Sequence, residues 1–169
     1  MIKPQTQVPV LSVPTLDGTH WTLNKSKPDH FTFVFFYRGY HCPICKNYLR
    51  SIDQKIDELA GLGIAAVAIS SDTQERAQRS KEEWGIRRLP IAYGLSIDEA
   101  RDWGLYVSKA IKPTEPDRFS EPGLFIVQPD GALFAASIQT MPFTRPAIQE
   151  LIAGFSYIVN HGYPARGEA

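Results

Sequence analysis

Hydrophobic residues in this chain fall into short blocks of two kinds, and the blocks alternate. Residues 31–37, Phe-Thr-Phe-Val-Phe-Phe-Tyr, are almost continuously aromatic or β-branched, the pattern of a central strand buried on both faces. The next block is periodic instead. Ile44, Tyr48, Ile52, Ile56 and Leu59 recur every three or four residues with Lys46, Asn47, Arg50, Asp53 and Lys55 largely between them, which predicts one amphipathic helix from Pro43 to about position 60. Pro43 suits its first turn, where a missing amide hydrogen costs little. Gly61 and Gly63 can end it, and residues 64–69 are apolar enough to be the next buried strand. The pattern is a β-α-β unit.

Upstream, residues 8–13 are weakly extended, and Asp17-Gly18 beside Trp21-Thr22-Leu23 predicts a short hairpin followed by a polar loop. Downstream, Ser70, Ser71, Asp72 and Thr73 offer caps for a second helix that runs through Trp84 and stops at Gly85. A short strand is expected at 91–95 and a short helix near 98–103. Residues 109–122 contain three prolines and several charges and are expected to form a loop. Residues 123–127 and 133–136 flank Pro129-Asp130-Gly131, a strong hairpin signal. Ile148, Leu151, Ile152, Phe155 and Val159 predict a last helix over about 145–160.

The 169 residues, 43% of them hydrophobic, suit one domain spanning 1–169 with a substantial core. Eighteen basic and eighteen acidic residues cancel, so no long-range positive field favours nucleic acid or an anionic membrane as partner. The first residues lack the apolar core of a secretory signal, and no run of apolar residues is long enough to span a bilayer, which makes the cytoplasm the expected compartment.

The two cysteines, Cys42 and Cys45, stand three positions apart where strand gives way to helix, in Arg38-Gly39-Tyr40-His41-Cys42-Pro43-Ile44-Cys45. With Cys42 at the helix N-cap, free amide hydrogens and the helix dipole favour a thiolate there. Cys45, one turn on, lies within disulfide reach. This spacing permits an exposed attacking thiol at Cys42 and a resolving thiol at Cys45. Cys42 would attack a peroxide oxygen or a substrate disulfide, Cys45 would then close the internal disulfide, and an external thiol would reopen it. Arg38 is the nearest permanent cation and His41 an electrostatic aid if protonated; ordinary loop solvation is the alternative for both. Zinc binding and two inert buried thiols are the competing readings of the cysteines, but His20, His30, His41 and His161 show no paired ligand spacing of their own. No dinucleotide fingerprint is present, and the chemistry needs no organic cofactor.

On these residues, and on Phe125-Ile126-Val127-Gln128-Pro129-Asp130-Gly131, the chain resembles the alkyl hydroperoxide reductase and thiol-specific antioxidant group, the peroxiredoxin-like proteins of the thioredoxin-like superfamily. The likeness covers roughly residues 5–160. It implies an α/β thioredoxin-like fold: a central mixed sheet flanked by helices, with a peroxiredoxin-type N-terminal extension and insertion. It also implies peroxide reduction by Cys42 with Cys45 as partner thiol, a thioredoxin-like or low-molecular-weight thiol as reductant, and homodimerisation. Three departures stand out. The family's threonine or serine three residues before the reactive cysteine is Gly39, its proline seven before is Phe35, and its arginine ahead of the late strand gives way to Glu121-Pro122. Pro122 resembles instead the cis-proline that faces the cysteines in thioredoxins, which with Tyr40 makes it a candidate substrate-binding residue; a trans proline that ends the preceding loop is the alternative. Arg145 is expected to be a solvated surface residue, with contact to a substrate or partner as the alternative. Trp84, Trp103, Tyr106 and Phe119 are candidates for an access surface, with core packing as the alternative. Three functions follow for testing: a thiol-dependent peroxidase, a protein thiol-disulfide reductase with little peroxidase activity, and a binding protein whose partner surface is switched by oxidation.

Overall fold

A computed structural model describes residues 1–23, 25 and 27–169. Its frame is a five-stranded mixed sheet in the order β5-β4-β3-β8-β9. The strands are β3 (Phe31–Phe36), β4 (Ile64–Ile69), β5 (Ile91–Ala92), β8 (Gly123–Val127) and β9 (Leu133–Ile138). β3 lies at the centre, parallel to β4 and antiparallel to β8, as its unbroken apolar run requires: all six of its residues are buried. Because side chains alternate across a strand, its two faces feed two cores. Phe31, Phe33 and Phe35 point to the side covered by α1 (Pro43–Asp53), α2 (Ile56–Gly61), α3 (Gln74–Glu83) and α5 (Ile148–His161). Val34 and Phe36 point to the other side, where Trp103 after α4 (Ile97–Asp102) packs with Phe125 and Val127.

The N-terminal hairpin forms as expected, β1 (Ser12–Pro14) against β2 (His20–Thr22), with Gly18 at φ +84° in the turn. The polar loop expected after it includes positions 24 and 26, which lie outside the described residues.

Four elements differ from the sequence reading. The helix expected from 43 to about 60 is two helices. At the break the Lys55 amide bonds the Ile52 carbonyl at 2.9 Å, a tighter turn than the α-helix, and the Asp53 carboxylate leaves the helix to accept the amides of Arg87, Arg88 and Leu89 at 3.2, 2.7 and 2.7 Å. Asp53→Ala strands three backbone donors and is expected to lower stability by about 1–2 kcal/mol in urea unfolding, with Asp53→Asn recovering part of the loss. The strand expected at 91–95 pairs only at Ile91–Ala92, because the amides of Tyr93, Gly94 and Leu95 turn to the carbonyls of Pro14, Asp72 and Ser70.

The third difference matters most for the site. The expected loop 109–122 is a hairpin of β6 (Val107–Lys109) and β7 (Arg118–Ser120), with Pro113 and Pro116 between the strands and Pro122 beyond them, so the prolines cost no ladder hydrogen bond. The last helix begins at Ile148, not 145, since Arg145 and Pro146 precede its N-cap Ala147.

Candidate active site

β3 ends at the sheet's rim and delivers the chain through residues 37–41 to the start of α1. Cys42 is the N-cap of α1, its backbone extended and its Sγ accepting the Cys45 amide at 3.2 Å; Pro43 is the first helical residue. Cys42 and Cys45 are joined as a disulfide, with Cα atoms 5.2 Å apart. The attacking sulfur is less open than the spacing suggested: Cys42 is 3% exposed and Cys45 fully buried. The helix thus begins with its cysteine pair buried, at the end of the loop formed by residues 37–41.

That loop is held by a buried carboxylate. Asp72, just past β4, has a side chain fully removed from solvent; it accepts the Tyr40 amide at 2.7 Å and pairs with Arg76 Nε at 2.8 Å. Gly39, at φ +127°, presses directly on this carboxylate, so the position has no room for a side chain. Arg76 continues to His41, its Nη2 lying 3.3 Å from Nδ1. His41 packs edge-on against Phe119 at 4.6 Å, and its Nε2 is buried without a hydrogen-bond partner among the described residues. Burial, reinforced by the nearby Arg76 charge, pushes the His41 pKa down despite the opposing pull of Asp72. The ring therefore favours its neutral form, against the protonated helper considered from sequence.

Arg38 is also diverted. Its guanidinium makes a bidentate pair with Glu121, at 2.7 and 3.0 Å, and Ser108 donates to the same carboxylate at 2.5 Å. Glu121 is 4% exposed at its side chain and engages the Arg38 guanidinium. Tyr40 faces outward: its hydroxyl donates to Glu83 at 2.6 Å, its ring stacks near Trp84, and Arg79 lies over it at 4.4 Å. Pro122 needs correction. Among the described residues no peptide bond is cis, and Pro122 is buried at the start of β8 with its carbonyl accepting the Gln139 amide at 3.0 Å. Pro122 is thus a trans proline bonded into the sheet margin, not the cis-proline of the thioredoxin comparison. Of the four aromatics, Trp84, Trp103 and Phe119 are buried and Tyr106 is exposed.

The cation that does reach the cysteines is Arg145, expected from sequence at the solvated surface. Its Nη2 lies 2.8 Å from Cys45 Sγ, and the guanidinium rests over the Tyr48 ring at 4.8 Å. Tyr48 is fixed in turn by donating its hydroxyl to the Pro146 carbonyl at 2.8 Å. Burial holds the Arg145 pKa down at about 10, which leaves it cationic at neutral pH. Beside it lies an open apolar groove of about 460 Å³ lined by Ile44, Tyr48, Pro142, Phe143 and Ile148, with Phe143 68% exposed. Nothing local announces Arg145, which is a hundred positions from its target; only the neighbouring Pro146, which delays the helix, hints that the segment is set apart.

A family model described as the AhpC/TSA family matches residues 4–136. The chain belongs to the AhpC/TSA family. A curated relative of this AhpC/TSA protein, named putative peroxiredoxin YkuU, from Bacillus subtilis, is 24% identical over 113 residues; the match covers 63% of this chain and 59% of that protein's length. Among solved structures, peroxidoxin BcpB from Mycobacterium tuberculosis is similar with a TM-score of 0.75 at 17% identity, covering 94% of this chain and 99% of that one. Enterococcus faecalis AhpC is similar with a TM-score of 0.76 at 16% identity, covering 98% and 99%. These likenesses establish a thioredoxin-like α/β fold with the extension and insertion of the family. Among the described residues no group of three His, Cys, Asp or Glu side chains is placed to hold a metal ion, and no helix is long and apolar enough to cross a membrane.

Proposed function

We propose that this chain is a thiol-dependent peroxidase in which Cys42 is the nucleophile and Cys45 the resolving thiol. The observation that carries the reading is the Cys42–Cys45 disulfide at the N-terminus of α1 in an AhpC/TSA protein. That disulfide is the product state of the cycle. Cys42 thiolate attacks one peroxide oxygen, the O–O bond breaks, and the departing oxygen takes a proton as water or an alcohol, leaving Cys42 as a sulfenic acid. Cys45 attacks that sulfur and releases water as the disulfide closes. Two electrons and two protons from an external thioredoxin-like or low-molecular-weight thiol restore the dithiol. No organic cofactor enters these steps. The setting for this chemistry is taken to be one domain, in the cytoplasm, with a homodimer as the state to look for first.

A second reading, protein thiol-disulfide exchange, has specific support. Gly39 offers no hydroxyl, Arg38 is occupied by Glu121, and the Cys42 amide is bonded to the Gly39 carbonyl at 3.1 Å, so three groups suited to polarising a peroxide are missing or engaged. The apolar groove next to Ile44 suits an extended thiol-bearing chain better than a small peroxide.

Stopped-flow mixing of the reduced protein with hydrogen peroxide separates the two. Reaction much faster than that of a free thiol, ending in the internal disulfide, is the expected result. A reaction no faster than a free thiol, together with rapid reduction of a protein disulfide, transfers the function to exchange.

A further inference from the structure

The two ends of the disulfide are chemically unequal. Cys42 keeps the only solvent exposure of the pair and sits at the helix start, whereas Cys45 is fully buried and has a guanidinium against its sulfur. Arg145 is unusual in its company. It makes no ion pair among the described residues, and its Nε and Nη1 are buried without hydrogen-bond partners. The charged or titratable groups around it are Tyr48, whose hydroxyl is turned to Pro146, and Arg38 and Glu121, which are bound to each other. Burial raises the Tyr48 pKa to about 12, so that ring stays neutral. A buried cation beside a neutral disulfide is poorly compensated; the same cation beside a thiolate is well compensated.

We propose that Arg145 fixes the direction in which the disulfide opens, by making Cys45 the leaving group. An external thiolate attacks Cys42 Sγ, and a new sulfur–sulfur bond forms as the Cys42–Cys45 bond breaks. The bonding pair goes to Cys45 Sγ, which leaves as a thiolate ion-paired with Arg145. A second thiolate of the reductant then attacks the mixed disulfide at the reductant's sulfur and releases Cys42. The external dithiol is oxidised and the protein pair reduced by two electrons. A lower leaving-group pKa speeds the first step, and stabilising the reduced form makes the disulfide a stronger oxidant. The helix N-terminus favours charge at Cys42, and Arg145 supplies the matching stabilisation for the other sulfur at the moment the bond breaks.

This inference rests on the thiol chemistry proposed above but not on the oxidant, and the test uses no peroxide. Oxidised protein is reduced with dithiothreitol, and its redox equilibrium is measured against a glutathione couple. Arg145→Gln is expected to be reduced about tenfold more slowly, with the equilibrium shifted about tenfold toward the disulfide, or about 30 mV; Arg145→Lys should recover part of both. In Cys42→Ser, which keeps Arg145, the lone Cys45 should titrate below the roughly 8.5 of a free thiol by ultraviolet thiolate absorbance. Wild-type rate and equilibrium in Arg145→Gln overturn the inference. So does Cys45 titrating at or above the free-thiol value, and that measurement decides alone if Arg145→Gln does not fold. Inertness to peroxide with the Arg145 dependence intact removes the peroxidase reading and upholds this one.

Discussion

Cys42→Ser is expected to abolish thiol-dependent turnover of peroxide, by on the order of 10⁴-fold or more, the scale on which removal of an enzyme's nucleophile acts. A serine hydroxyl at neutral pH has no anionic fraction comparable to a thiolate, and the helix N-terminus that favours charge at position 42 cannot make up the difference. Cys45→Ser should behave differently. Its Cys42 still meets the start of α1, so in the absence of reductant it should consume about one equivalent of oxidant and then stop as a sulfenic acid, with no internal disulfide. Mass spectrometry of the two variants after peroxide treatment reads the difference directly. Equal residual turnover in both would assign the chemistry to neither sulfur, and a fast, stoichiometric reaction in Cys42→Ser alone would exchange their roles.

Gly39→Ala should be the most damaging substitution of a residue that takes no part in the chemistry. An added Cβ would lie 2.6 Å from Asp72 Oδ1 and 2.7 Å from Oδ2. The carboxylate has no freedom to retreat, because it is fully buried and already holds the Tyr40 amide and the Arg76 guanidinium. The backbone adds its own penalty, since φ +127° belongs to a region that side chains disfavour. Together the strain and the loosened buried pair are expected to cost on the order of 3–5 kcal/mol, a large share of the stability of an ordinary domain. Urea unfolding provides the measurement, and Gly18→Ala the control. Gly18 also has positive φ, +84°, but nothing lies within 4 Å of its Cβ position, so only the backbone penalty of about 1 kcal/mol applies. Similar losses in the two variants would show that the contact with Asp72 contributes nothing. Because this loop carries the chain from β3 to Cys42, surviving Gly39→Ala protein should also react more slowly at Cys42.

Much of the molecule can be read from local pattern. The apolar run at 31–37, the cap at Thr73 and the glycines at 63 and 85 each act within a few residues, and those elements formed close to where their pattern placed them. Elements failed to match where a distant partner intervened. Asp53 bends the long helix because the amides at 87–89 need an acceptor, and the proline-rich 109–122 stretch pairs because its prolines fall outside the strands.

The chemistry divides the same way. From the amino-acid sequence alone come the β-α-β frame, the resemblance to the AhpC/TSA family, and a cysteine pair at a helix start, since all three depend on neighbours along the chain. The tertiary structure decided which charges reach that pair. Arg38, four residues away, is taken by Glu121 from across the molecule, while Arg145, a hundred residues away, is set against Cys45. Burial lowers the proton affinity of His41, and Gly39 is required by a carboxylate from another strand's end. Electrostatic influence depends on distance in space and on desolvation, and neither quantity is written in the spacing of residues along a chain.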